Sequence, residues 1–271
     1  MHHNVCYPAS PERCTAPACD TGPIGVTSLI HSRGLPAAVV AIGFAVVARS
    51  MGAVSDGGAV VGVLMAFILM LAAGLHGFVP LVTVFLLTLV TTRWGYARKQ
   101  HLGVAERRRG RTASQVLANL CTAVLCASPV IWFPQTGKVL LVAAMAALAE
   151  AAADTVSSEV GQATANSAYR ITDFCQEPIG TNGAISLEGT LSGCIAASIV
   201  GWISAIVGVV SWQWTPVISI AGVAGMFLDS ILGATWENSG KMGNDAVNFV
   251  STVFAADLAM VAAIVVERSG S

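Results

Sequence analysis

Charge is what this chain lacks. Of its 271 residues only 14 are Lys or Arg and 15 are Asp or Glu, so 11% are charged, where an ordinary soluble domain carries about 25%. So thin a supply cannot coat a globule of this size, and a soluble fold is excluded. Set against 55% hydrophobic residues and a mean hydropathy of +0.71, the same scarcity excludes a disordered chain and a coiled coil. Seven cysteines in a chain this apolar do not make a disulfide-rich secreted module. A net charge of −1 offers nucleic acid no overall attraction, and none is expected as a partner. No charged start followed by an apolar core is read near the N-terminus, so no signal peptide is expected.

Long apolar runs are what the chain has instead. A helix needs about 17–25 apolar residues to cross a bilayer. Such runs recur at 34–50, 57–74, 76–94, 113–133, 138–158, 187–210, 215–236 and 245–266. They predict an all-α polytopic membrane protein, a bundle of about eight transmembrane helices, or seven if the short first run does not cross. Residues 34–266 are expected to form one transmembrane domain, between a poorly ordered tail at 1–33 and a short tail at 267–271. Cys6, Cys14 and Cys19 with His2 and His3 lie in that first tail, and their spacing matches no zinc pattern. Two connections are long, 95–112 and 159–186.

Arg93, Arg98, Lys99, Arg107, Arg108, Arg109 and Arg111 cluster about the first of these. An excess of Lys and Arg marks the cytoplasmic side. That choice puts Arg49, Arg170 and Lys241 inside as well, and leaves Arg13, Arg33, Lys138 and Arg268 outside. Both termini then face out of a bacterial-type inner membrane, with the active-site loops in the cytoplasm. The arginines also suit membrane lipid headgroups.

An acid inside a bilayer is costly and needs a reason. The fifth run carries Glu150 and Asp154 one turn apart, with Ser157 and Ser158 a turn further and Glu159 about 140° round from Asp154. The seventh carries Asp229, and the eighth an unexplained Asp257, read as buried. Before the sixth run stands Gly180-Thr181-Asn182-Gly183-Ala-Ile-Ser186-Leu-Glu-Gly189-Thr190. Its glycines permit close backbone approach, Ser186 is placed to cap a helix, and the helix entry offers free N–H groups to phosphate. It is not a Walker A loop, because no Gly-Lys-Ser/Thr follows. Gln115 and Asn119 open the fourth run, and Asn244 and Asn248 the eighth. These amides are expected to line a shared cavity, and Arg109 and Arg111 to grip phosphate bidentately. One or two carboxylates plus substrate phosphates is how Mg²⁺ is usually held, which matches Asp154 with Asp229 or Glu159.

Five stretches occur in order: R-R-G-R-T-A-S-Q-V-L-A-N at 108–119, A-D-T-V-S-S-E-V-G at 153–161, G-T-N-G-A-I-S-L-E-G-T at 180–190, L-D-S-I-L-G-A-T at 228–235 and N-F-V-S at 248–251. Together they resemble the phytyl-phosphate kinase and transmembrane-protein-19 group of integral membrane proteins. The resemblance implies a kinase that moves the γ-phosphate of a nucleoside triphosphate (CTP, UTP or ATP) onto an isoprenoid monophosphate, such as phytyl phosphate, with Mg²⁺. The layout is also similar to CTP-dependent polyprenol kinases and nucleotidyltransferases acting on lipids, the first alternative. The second alternative is a proton- or cation-coupled transporter that uses the same acids. On the kinase reading Asp154, Asp229 and Glu159 are the catalytic, metal-holding set. The Gly180–Thr190 stretch with Arg109 and Arg111 holds phosphates, and Gln115, Asn119, Glu150, Ser158, Asn244 and Asn248 line the pocket.

Overall fold

The computed structural model describes residues 24–105 and 110–269. Eight helices follow in order: α1 (Ile24–Ser50), α2 (Asp56–Arg93), α3 (Tyr96–His101), α4 (Ala113–Ala127), α5 (Gly137–Thr164), α6 (Leu187–Ile206), α7 (Thr215–Leu232) and α8 (Asn244–Ser269). All but the short α3 belong to segments long and apolar enough to cross a membrane, seven among the described residues. The protein is an all-α polytopic membrane protein.

The seven segments hold the eight expected runs, because α2 contains two of them. A straight helix of its 38 residues would run about 57 Å. Yet the Arg93 guanidinium at its end reaches the Met51 carbonyl before its start, at 2.5 Å. The reversal is at Gly74, whose φ of +67° and ψ of −167° belong to glycine alone. The arms 56–73 and 75–93 therefore lie antiparallel, and Phe44 of α1 packs edge-on against Phe78 and Phe85 of the second arm. Arg33 sits beside Gly74 at one end of the bundle; Arg49, Arg93 and Arg111 gather at the other. That second end is the charged end of the bundle.

α5 is the central pole. Residues 142–153, mostly alanine, are all at most 2% exposed, and the helix packs against α2, α4, α6, α7 and α8. A helix apolar on every side is one that is surrounded, and alanine's small side chain lets neighbouring backbones approach closely. Lipid-facing positions are instead large, among them Val39, Val60, Leu86, Ile195 and Ile220.

Several expected boundaries move. α1 begins at Ile24, ten residues before the expected span, and α8 continues to Ser269. α5 continues to Thr164, so Glu159 belongs to the helix and not to a loop. The rest of that connection is ordered by a small antiparallel sheet of β1 (Ala168–Arg170), β2 (Gln176–Glu177) and β3 (Ala184–Ile185), in the order β2-β1-β3. Arg170 ties its turn to Asp173 and Glu177. The Cys175 N–H bonded to Asp173 holds that carboxyl below the ordinary carboxylate range. Asp257 is exposed on the surface of α8, not buried as its place in the run suggested. The N-terminal cysteines and histidines, and Arg109, lie outside the described residues.

Candidate functional site

A cavity of about 240 Å³ opens at the charged end. Its floor is made by transmembrane helices. α5 supplies Asp154, and α7 supplies Asp229, whose side chain adjoins it within hydrogen-bonding reach. α8 steadies Asp229: the Ser251 hydroxyl donates to its Oδ2 at 3.3 Å. The Asn248 amide, with its nitrogen turned toward the acid, donates to the same oxygen at 3.1 Å. Asn248 and Ser251, one turn apart on α8, thus both face this acid. Beneath both acids Glu150 is 1% exposed, wedged where the missing side chain of Gly225 makes room for it. Neither of its oxygens has a hydrogen-bond partner. A buried polar group without a partner is expensive, so this oxygen pair is unmatched acceptor capacity beneath the cavity floor.

The cationic wall is Arg111. Its backbone pairs with the α1–α2 connection, Arg111 N to Ala53 O at 3.0 Å and Ser55 N to Arg111 O at 2.9 Å. Thr112 and Gln115 then close a capping box that starts α4. So anchored, the guanidinium donates to the Thr155 hydroxyl at 3.3 Å and faces Asp154. Gln115 and Asn119 continue the wall, and Asn244 and Asn248 complete it from α8.

The roof is the connection from α5 to α6. Gly180, Thr181, Asn182, Gly183 and Ser186 all line the cavity. Gly183, with φ of +73°, passes so close to α7 that a Cβ would stand 2.2 Å from the Ala234 nitrogen and 2.4 Å from the Ser230 carbonyl oxygen. Only glycine fits. The Asn238 amide donates to the Asn182 carbonyl at 3.1 Å and holds the roof down. Ser186 caps α6 as expected, accepting from Gly189 N at 3.1 Å.

Ser158 lines the same cavity, and so does Glu159, which is fully engaged there. Lys99 of α3, itself without exposure, places its ammonium on Glu159 Oε2 at 2.6 Å and on the Thr91 and Thr92 carbonyls at 2.9 and 2.8 Å. Three donors meet three acceptors. The Thr92 hydroxyl donates to the other carboxylate oxygen at 2.8 Å. Gly189, Thr190 and Glu150 do not line the cavity. Gly189 is instead a packing position, where a Cβ would come within 2.6 Å of the Ser157 carbonyl oxygen.

Sequence reasoning missed Lys99 and Glu237. Lys99 read as one more charge in a cationic connection, and nothing local distinguishes a buried lysine from an exposed one. Glu237 lies eight residues beyond Asp229, about 80° off its face in a regular helix. A π turn at Gly233–Glu237 takes up an extra residue and brings Glu237 to the cavity wall. Four acids (Glu150, Asp154, Asp229 and Glu237) thus share one region with a single described cation, Arg111, while Lys99 is spent on Glu159. Among the described residues no group of three or more His, Cys, Asp or Glu makes a ready metal cage.

Comparison with known proteins agrees with this architecture. An uncharacterized membrane protein of Synechocystis is 31% identical over 192 residues, 70% of this chain and 74% of its own. One from Methanocaldococcus jannaschii is 30% identical over 193 residues, 70% and 77% of the two chains. The chloroplastic protein VTE6 of Arabidopsis thaliana is 29% identical over 189 residues, 66% of this chain but only 56% of VTE6. No solved structure matches. The family described as integral membrane protein DUF92 matches residues 39–256, and the chain belongs to it.

Proposed function

We propose that the protein is a membrane-embedded kinase that transfers the γ-phosphate of a nucleoside triphosphate to an isoprenoid monophosphate, giving the diphosphate. One observation carries the reading: acids from α5 and α7 meet beneath a glycine-bearing roof and beside an anchored arginine, in a single polar cavity at a membrane surface. The five-motif resemblance to the phytyl-phosphate kinase group and the similarity to VTE6 support it. The arginine-rich end is the cytoplasmic one on this reading, as cation bias in membrane proteins favours.

The acceptor needs little activation. A phosphate monoester has its second pKa near about 6, so at neutral pH it already carries a nucleophilic oxygen. That oxygen attacks the γ-phosphorus, the bond from phosphorus to the β–γ bridging oxygen breaks, and a nucleoside diphosphate leaves with that oxygen. Catalysis is then positioning and charge neutralisation. Roof N–H groups between Gly180 and Ser186, other than those of Thr181 and Ala184, which already donate to the Pro178 and Thr181 carbonyls, hold the nucleotide's phosphates together with Asn182. Arg111, with Arg109 from the same run, grips the acceptor phosphate or the departing diphosphate. Asn244, Asn248, Gln115 and Asn119 orient the phosphates by hydrogen bonds.

Mg²⁺ fits the donor set. Two acids adjoin, a third beneath them has unmatched oxygens, and the open side faces the cavity, which suits an ion that completes its shell with substrate oxygens. Asp154 and Asp229 would hold it, and bound Mg²⁺ would neutralise charge on the transferring phosphates. Glu159, with both oxygens engaged, serves as an orienting group that fixes α5 against α3.

The test is incubation of detergent-purified protein with Mg²⁺, each of the four nucleoside triphosphates, and short and long prenyl monophosphates. The proposal expects a prenyl diphosphate and a nucleoside diphosphate. Release of inorganic diphosphate with a nucleotidyl-lipid product would replace it with nucleotidyl transfer.

A further inference from the structure

A second, apolar cavity of about 100 Å³ meets the polar one at Arg111, Gln115 and Asn119, which line both. Its other walls come from α1, both arms of the α2 hairpin, α4 and Ala151 of α5, with Ala48, Gly62, Leu81 and Phe85 among them. On the second arm the lining of this slot runs from Thr88 to Leu81, about 10 Å of helix leading into the bundle.

The two glycines one turn apart on the first arm have different work. At Gly58 a Cβ would fall 2.5 Å from the Arg111 carbonyl oxygen, so this glycine lets the arm close on the Arg111 backbone. At Gly62 a Cβ would meet nothing within 4 Å. Gly62 is therefore not required by packing; its missing side chain is open space on the slot wall.

We propose that this slot takes the hydrocarbon tail of the acceptor, with Arg111 at the junction holding its phosphate. This rests on the kinase reading and deepens it to substrate selection. The occupant is a single isoprenoid chain. A polar head must reach the Asp154 side of Arg111 while an apolar tail continues beyond it, and the slot is narrow and apolar apart from Thr88 and the three shared residues. Such a ligand spans both cavities without burying a polar atom against an apolar wall. Gly62, Leu81 and Phe85 then set the chain length accepted.

The experiment uses the full chain in detergent and a prenyl monophosphate carrying a photoreactive diazirine on its terminal isoprene unit. Crosslinked residues are mapped by mass spectrometry in the wild type, in Gly62→Phe and in the smaller Gly62→Val. Turnover of short and long prenyl phosphates and nucleotide binding are measured alongside. The proposal expects labels on the slot walls of α1, α2 and α4. Gly62→Phe should remove these labels and lower kcat/KM for the long acceptor by at least about tenfold, the lower end of what a mis-filled apolar pocket does. Gly62→Val should fall between, and nucleotide binding should stay unchanged in both. Labels confined to outward-facing residues such as Leu191, Ile195 and Trp202 of α6, indifferent to Gly62, would overturn it. So would long-chain turnover that survives Gly62→Phe. Slot labelling without transfer from any nucleotide would instead sink the kinase reading and leave the tail site standing.

Discussion

The floor and the roof of the polar cavity are built in opposite ways. The floor is a set of side chains on transmembrane helices: Asp154 on α5 and Asp229 on α7, steadied from α8, with Glu150 buried beneath them. Its backbone is fully committed to helical hydrogen bonds, so only side chains can act. The roof is backbone, the 180–186 stretch pinned to the end of α7 by Gly183 and Asn182. It offers N–H groups and almost no charge. On the proposed function this is a division of labour: the helix acids would serve the cation, and the connection that covers them would serve the anion. Lys99 with Glu159 is the clasp between the two, because it fixes the last turns of α5 where the roof departs.

Breaking the floor should have the largest effect. Asp154→Asn and Asp229→Asn, which keep shape and remove charge, are each expected to lower turnover by about 10²–10³-fold or more, with membrane insertion and thermal unfolding little changed. Substantial turnover in either purified variant would detach the acids from the reaction. Breaking the roof comes next. Gly183→Val combines a positive φ with a backbone clash, and is expected to weaken nucleotide binding more than prenyl-phosphate binding; equal loss of both would mean that the roof serves the whole site alike.

The clasp should show itself in stability first. Lys99→Met leaves a buried carboxylate without its cation, a loss of about 3–5 kcal/mol, read as a lower unfolding midpoint in detergent. The double variant with Glu159→Gln should recover part of it, since the stranded charge is gone. The smallest effect is expected from Arg170→Gln, which removes an exposed pair with Asp173 and a half-buried one with Glu177 in the roof's sheet. Exposed pairs are worth at most about 1 kcal/mol, and turnover should stay within about twofold; a larger drop would give the sheet a role in the reaction.

The floor was more legible in the sequence than the roof. Asp154 and Asp229 stood out because each interrupts an apolar run, where a charge demands a partner, and Gln115, Asn119, Asn244 and Asn248 were legible by helical spacing. The Gly180–Ser186 stretch was visible as a loop through its glycines. The sheet that orders it was not, since strands of two or three residues leave no alternating pattern. Glu159 appeared to face away from Asp154 on a regular helix; the long-range contact with Lys99, sixty residues earlier, explains where it points. Glu237 was hidden by the π turn, which breaks the 3.6-residue spacing on which face assignment depends. The α2 hairpin was legible as two apolar runs, but not as a turn made by one glycine.

On the proposed function Asp154 and Asp229 together would create one divalent-cation site that faces bound phosphate. Mn²⁺ binding followed by electron paramagnetic resonance, with a non-hydrolysable nucleotide present and absent, tests it most directly. One protein-bound Mn²⁺ is expected, with an affinity that rises with nucleotide and a signal that disappears in both Asp154→Asn and Asp229→Asn. Binding that persists in either variant, or that ignores nucleotide, would contradict it.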